Sequence, residues 1–191
     1  MSSPYLTRDD KLTSSRGCFT VIAANPMTTT TTTLLWGSCL CGGVRYNFLY
    51  SRPVTGSSSQ VAHCHCRDCQ KFHGAAFSTF VTAPGLIWAG ESHLHLKSYT
   101  LPHGAVRQFC STCGSSLAFR GRDGTAHWEI AVATLDHHNH HDDNHNNVPQ
   151  PDAHIFFSRK APWLSEDWNH LPKFQQGRNS EMISGQAEGS G

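Results

Sequence analysis

All but one of the 8 cysteines in this 191-residue chain fall into three tight groups: Cys39 with Cys41, Cys64 with Cys66 and Cys69, and Cys110 with Cys113. Closely spaced thiolates can reach one zinc at about 2.3 Å without closing a separate long loop for each ligand. One such pair is a weak signal, but three in one domain are a strong signal for metal sites. Cys18 stands alone near the N-terminus and takes no role. The N-terminal region lacks the basic stretch and ~7–15 apolar residues of a secretory signal. Its one apolar patch, Cys18 to Ala24, is short and preceded by Asp9 and Asp10, which also argue against a mitochondrial presequence. We therefore place the chain in a reducing compartment, cytoplasmic or nuclear, where grouped cysteines act as metal ligands or redox groups rather than as disulfides.

The groups differ in their neighbours. Cys41 is followed by Gly42 and Gly43, and Cys113 by Gly114, so both runs can turn sharply and aim backbone N–H groups at sulfur. They read as the two halves of a closed, four-thiolate structural site. The middle group has no glycine and carries His63, His65, Arg67, Asp68, Lys71 and His73, surroundings that suit an open, reactive site. Four ligands plus three is the natural division, and three protein ligands with a vacant position is the arrangement of a catalytic zinc. Mixed pairings across the groups satisfy the same arithmetic, and His63, His65 or His73 could close the second site.

Short runs rich in β-branched and aromatic residues alternate with Gly, Pro and polar breaks from Trp36 onward: Val44 to Tyr50, Ala76 to Thr82, Val106 to Phe109, Ser116 to Arg120, His127 to Ala133 and Ala153 to Ser158. They read as strands of a mainly β, largely antiparallel single domain, with a single helical turn at Asp68 to Phe72. Residues 1–35, with unbroken threonine from Thr28 to Thr33, read as a disordered tail, residues 36–172 as the zinc domain, and residues 173–191 as a second disordered tail. Met27 reads as a candidate natural start. Residues 136–147 are polar throughout and read as an exposed loop. Trp163 and Trp168 are expected to pack back onto the sheet.

Lys and Arg total 15 against 14 Asp and Glu, which argues against nucleic acid as a partner. No apolar run approaches the ~20 residues of a membrane-spanning helix, so a membrane role is excluded as well. A Zn²⁺ held by three thiolates carries a net charge of −1 and suits a sulfur ligand in fourth place, with Arg67 and Lys71 available to offset the added charge if they face the site. A zinc-bound thiol is deprotonated at neutral pH, which serves either addition to an aldehyde or cleavage of a carbon–sulfur bond.

At these residues the sequence resembles the glutathione-dependent formaldehyde-activating enzymes, grouped with centromere protein V. The resemblance runs through Gly37-Ser38-Cys39-Leu40-Cys41-Gly42-Gly43-Val44-Arg45-Tyr46, His63-Cys64-His65-Cys66-Arg67-Asp68-Cys69-Gln70-Lys71, and Phe109-Cys110-Ser111-Thr112-Cys113-Gly114-Ser115. It continues in Thr134-Leu135-Asp136, His154-Ile155-Phe156 and Ala161-Pro162-Trp163. It implies a zinc-bound β-tent fold, a structural zinc on Cys39, Cys41, Cys110 and Cys113, and a catalytic zinc on Cys64, Cys66 and Cys69, two zinc ions per chain in all. It further implies a carbon–sulfur lyase that joins glutathione, as co-substrate, to formaldehyde, giving S-hydroxymethylglutathione. The insertion at 136–147 departs from the shorter connection usual in that family. The alternative function is a non-catalytic zinc module for protein interaction, although the chain lacks an added basic segment for such a role.

Of the remaining features, the histidines between His137 and His145 read as an adventitious metal tract without fixed geometry. His127 reads equally as a site residue or an interior one. Arg45, Arg67 and Arg107 are the candidates for pairing with glutathione carboxylates.

Overall fold

The computed structural model describes residues 20–25, 28–53, 61–122, 127–136, 149–165 and 167–183. Two sheets make up the fold. The smaller runs in the order β1 (Thr20–Asn25), β2 (Thr28–Ser38), β3 (Arg45–Pro53), β6 (Ile87–Trp88). The larger runs β11 (Ala153–Ile155), β4 (Val61–Cys64), β5 (Ser78–Ala83), β10 (Trp128–Ala131), β9 (Ser116–Arg120), β8 (Val106–Cys110), β7 (Leu96–Thr100). All pairings among these strands are antiparallel except β11 beside β4, which is parallel. Among the described residues, two short helices, α1 (Arg67–His73) and α2 (Ser92–His95), accompany the strands together with 3-10 turns at Val132–Thr134 and Phe157–Arg159. Among the described residues no helix is long and apolar enough to cross a membrane.

The alternation of side chains along a strand explains where the core lies. In β3, Tyr46, Phe48 and Tyr50 are buried while Leu49 between them is exposed. They pack with Val61, Val81, Ala83, Leu117 and Ile130 of the larger sheet. The neighbouring residues Phe80 and Ala131 point through the opposite face of that sheet, where they gather Cys64 and Cys69 into a second cluster edged by Phe119, Ile155 and Phe156. The central strands of the larger sheet are therefore covered on both faces, one by the smaller sheet and one by α1 and the residues around it.

Two expectations are corrected. The threonine run is strand rather than tail, since Thr28–Ser38 pairs with both β1 and β3. Threonine is β-branched and favours extended backbone, and pairing on both sides satisfies its ladder groups without any apolar alternation. Residues 173–183 are likewise held, by backbone bonds from Phe174 N–H to His154 O and from Ile183 N–H to Lys173 O at 2.9 and 2.7 Å. Their order comes from docking on the chain before them, which local composition does not reveal. Residues 1–19, Met27, the His-rich tract and residues 184–191 lie outside the described residues.

Candidate metal centres

Cys39 and Cys41 occupy the turn between β2 and β3, while Cys110 ends β8 and Cys113 lies in the turn between β8 and β9. The two turns repeat one backbone pattern: Cys39 N–H donates to Val44 O at 2.9 Å, and Cys110 N–H to Ser115 O at 3.0 Å. Gly42 and Gly114 reverse the chain with φ of 73° and 75°, a region open to glycine at no steric cost. The Val44 N–H reaches Cys39 Sγ at 3.2 Å, as the glycine-flanked sequence predicts. All four sulfurs lie within 4.8 Å of one another, with Cys39 to Cys41 at 3.5 Å and Cys41 to Cys110 at 3.8 Å. Sulfurs at about 2.3 Å from a tetrahedral ion stand about 3.8 Å apart, so this donor set fits zinc.

The second group is built at the end of β4 and the start of α1. Cys64 is the last residue of β4. Cys66 is the N-cap of α1, its Sγ accepting the Cys69 N–H at 3.4 Å. Cys69 is buried one turn into the helix, which runs two turns rather than the single turn expected and closes on Gly74 at φ 60°. The three sulfurs lie within 4.8 Å of one another, and among the described residues no histidine, carboxylate or further cysteine joins them. The thiols also behave as a ligand set. Hydrogen bonds from the Cys64 and Cys69 side chains pull the Cys66 thiol down to about 2, against burial, whereas bonding to Cys66 and Cys69, with burial, pushes the Cys64 thiol far up. One thiolate is easy here and three are not, which is the electrostatic situation a dication resolves.

The candidate histidines turn away from the sulfurs. His65 is fully buried, and its Nε2 lies 2.8 Å from His154 Nδ1. His154 Nε2 is in turn 2.7 Å from Asn169 Oδ1, which also accepts the Leu171 N–H at 3.1 Å. That last bond fixes the Asn169 atom as an oxygen, so in the neutral rings His154 donates from Nε2 and accepts at Nδ1, and His65 donates from Nε2. Burial, with the charge of His154 second, lowers His65 to about 3, and burial lowers His154 as well, so both rings are neutral at pH 7. His63 bonds Thr79 Oγ1 through Nδ1 at 2.8 Å and packs edge-on or tilted against the rings of Phe77, His154 and Trp168. Trp168 thus packs onto the sheet as expected, but Trp163 is 77% exposed. His73, at the end of α1, is held near 4 by burial and by Arg107. His127 is exposed, which removes the interior reading.

The arginine candidates separate sharply. Arg45 is exposed and donates to Gly42 O at 3.2 Å, and Arg67 is exposed and donates to Gln70 Oε1 at 3.3 Å. Arg67 and Lys71 line an outer groove with Gln70, Gly74, Ala75, Ala76 and Trp163, so they are not the cations that meet the sulfurs. That cation is Arg107, buried on β8, whose Nη2 donates to Cys69 Sγ at 3.4 Å. Sequence reasoning also passed over Gln70. Its buried Nε2 donates to both His65 O and Arg159 O, at 2.6 and 2.7 Å, tying the loop between β4 and α1 to the segment after β11. Glu129 was missed too. Register places Arg107, Phe119, Glu129 and Thr82 in one row across β8, β9, β10 and β5, and burial, against a bond from Thr82, raises the Glu129 carboxyl to about 7. No local pattern marks Arg107 as buried or Glu129 as half-buried; only the pairing of distant strands does.

A mainly β domain carrying one four-thiolate set and one three-thiolate set defines a class of protein with two cysteine groups able to hold metal. The family model for the glutathione-dependent formaldehyde-activating enzyme matches residues 34–159, and the chain belongs to that family. A structural-genomics crystal structure of a Rhodobacter sphaeroides protein is similar at 24% identity, covering 56% of this chain and 93% of that chain with a TM-score of 0.42. None of the curated proteins compared with the sequence matches it.

Proposed function

We propose that the protein is a zinc-dependent enzyme of the carbon–sulfur lyase type, acting on glutathione or a related thiol adduct in the manner of an S-hydroxymethylglutathione synthase. Cys39, Cys41, Cys110 and Cys113 hold a structural zinc, and Cys64, Cys66 and Cys69 hold the catalytic one. The observation that carries this reading is the unequal donor count. The first set offers four sulfurs, whereas the second offers three and gathers no further donor among the described residues. Family membership supports the thiol and aldehyde as the substrate class.

Zinc, when bound by Cys64, Cys66 and Cys69, supplies a Lewis acid that favours the thiolate form of an incoming thiol. The chain's own residues prepare that position. The N-cap geometry of Cys66 and the helical placement of Cys69 hold the sulfurs together, and Gln70 fixes the connecting loop.

Native mass spectrometry of the full chain, with and without reduced glutathione, tests the assignment. Two zinc ions per chain are expected, with one glutathione adduct that is lost in Cys66→Ser. A folded Cys66→Ser variant with undiminished turnover of glutathione and formaldehyde would remove zinc from the mechanism. Two zinc ions and no adduct would make a closed structural module, or a thiol other than glutathione, the better reading.

A further inference from the structure

Arg107 is 5% exposed, and of its three guanidinium nitrogens one has a partner: Nη2 donates to Cys69 Sγ at 3.4 Å. Nε and Nη1 are buried without a hydrogen-bond partner. The guanidinium packs against two rings, 5.1 Å from the centroid of Phe72 and 5.4 Å from that of Phe119. Neither side-chain ion pair found among the described residues involves Arg107. A buried cation without a compensating anion is strongly disfavoured, and arginine cannot escape by losing its proton. Its compensating charge must therefore lie at the atom it touches, and that atom is a thiol of the three-cysteine set. Aromatic faces on either side hold the ion without neutralising it, so the field of the guanidinium is directed at sulfur.

We propose that Arg107 is the internal counter-ion of the Cys64, Cys66 and Cys69 site, and that its charge selects an anionic thiolate over a neutral donor as the fourth ligand. The inference rests on the reading of that set as an open thiol-accepting zinc site. Three thiolates and a dication sum to −1, and the guanidinium brings the buried assembly to zero. A thiolate then enters a neutral site rather than an anionic one. Arg67 and Lys71, facing the outer groove, are screened by solvent and cannot substitute. Arg107 acts through Cys69 and the charge of the site; it is a positioning residue rather than a catalytic one.

The test uses the full chain loaded with Co²⁺ at both sites, titrated with 2-mercaptoethanol, a thiol with no carboxylate, and separately with imidazole, a neutral donor. Sulfur-to-cobalt charge-transfer absorption reads the fourth ligand directly. Arg107→Met is expected to weaken 2-mercaptoethanol at least tenfold while leaving imidazole unchanged or tighter, and Arg107→Lys to recover part of the thiol affinity. Equal thiol affinity in wild type, Arg107→Met and Arg107→Lys overturns the counter-ion role while leaving the open-site reading intact. Parallel loss of thiol and imidazole binding in Arg107→Met overturns it too, because that marks a packing defect. Wild-type protein that takes imidazole but no thiol overturns the open thiol-site reading and the counter-ion role with it. Where Arg107→Met does not retain the four-thiolate absorption of a folded chain, Arg107→Gln, which keeps a polar side chain without the charge, decides by the same comparison.

Discussion

Glu129 shows how much one half-buried carboxyl alters the pH response of the fold. Burial raises its folded value to about 7 from an ordinary 4.5, so the folded chain binds the proton more tightly than the unfolded one. Its contribution to stability is complete below about pH 4.5 and is lost as pH rises through 7. Glu129→Gln keeps the neutral form at every pH. In thermal melts the variant should match wild type near pH 4 and exceed it above pH 8 by roughly 1–3 kcal/mol. A difference that does not grow between those pH values would show that the carboxyl is solvated in the fold. None of this is visible in the string Trp128-Glu129-Ile130, where a strand glutamate reads as surface. The cysteines were legible at this scale because proximity in sequence already brought them together. Arg107 and the His65–His154 pair were not, because their partners lie far along the chain.

Among elements, α1 concentrates the demands of the three-thiolate site. A seven-residue helix is far too short to be stable alone, so its position depends on anchors such as Gln70, whose amide serves two backbone carbonyls. Gln70→Ala leaves both carbonyls short of a donor, a loss of about 1–3 kcal/mol, and loosens the loop carrying Cys66. Competition with a chromophoric chelator should show weaker zinc binding at this site alone, with the four-thiolate site unchanged. Equal affinity at both sites would deny Gln70 any part in shaping the metal loop. Strand β9 was read from sequence with the residues it has in the fold, and β3, β5, β8 and β10 were read to within a few residues, because each combines β-branched or aromatic residues with clear breaks. The β1–β2 hairpin was missed because its threonines satisfy the backbone without presenting an apolar face. The ordering of 173–183 was missed because it comes from docking against His154 and Phe157.

For the molecule as a whole, the two cysteine sets have different structural duties. Cys39 and Cys41 belong to the smaller sheet's hairpin, Cys110 and Cys113 to the larger sheet's, so that set joins the sheets at one end of the core. The three-thiolate set lies within one sheet and its helix. Progressive chelation should therefore remove metal in two stages. The first, from Cys64, Cys66 and Cys69, should leave the β circular-dichroism signal intact. The second should coincide with loss of structure and a lowered melting temperature. Simultaneous release of both ions, or retained structure after the second, would contradict this division.

The joining of two distant hairpins also orders events during synthesis. Cys64, Cys66 and Cys69 lie within six residues of one another, so their three sulfurs are all present once β4 and α1 have been made. Cys39 and Cys41 wait with half a set until the β8–β9 turn has been made. If the two sets bind metal as proposed, the three-thiolate loop has all its sulfurs in hand early in synthesis, whereas the four-thiolate site can close only after the β8–β9 turn, with β10 and β11 still to come.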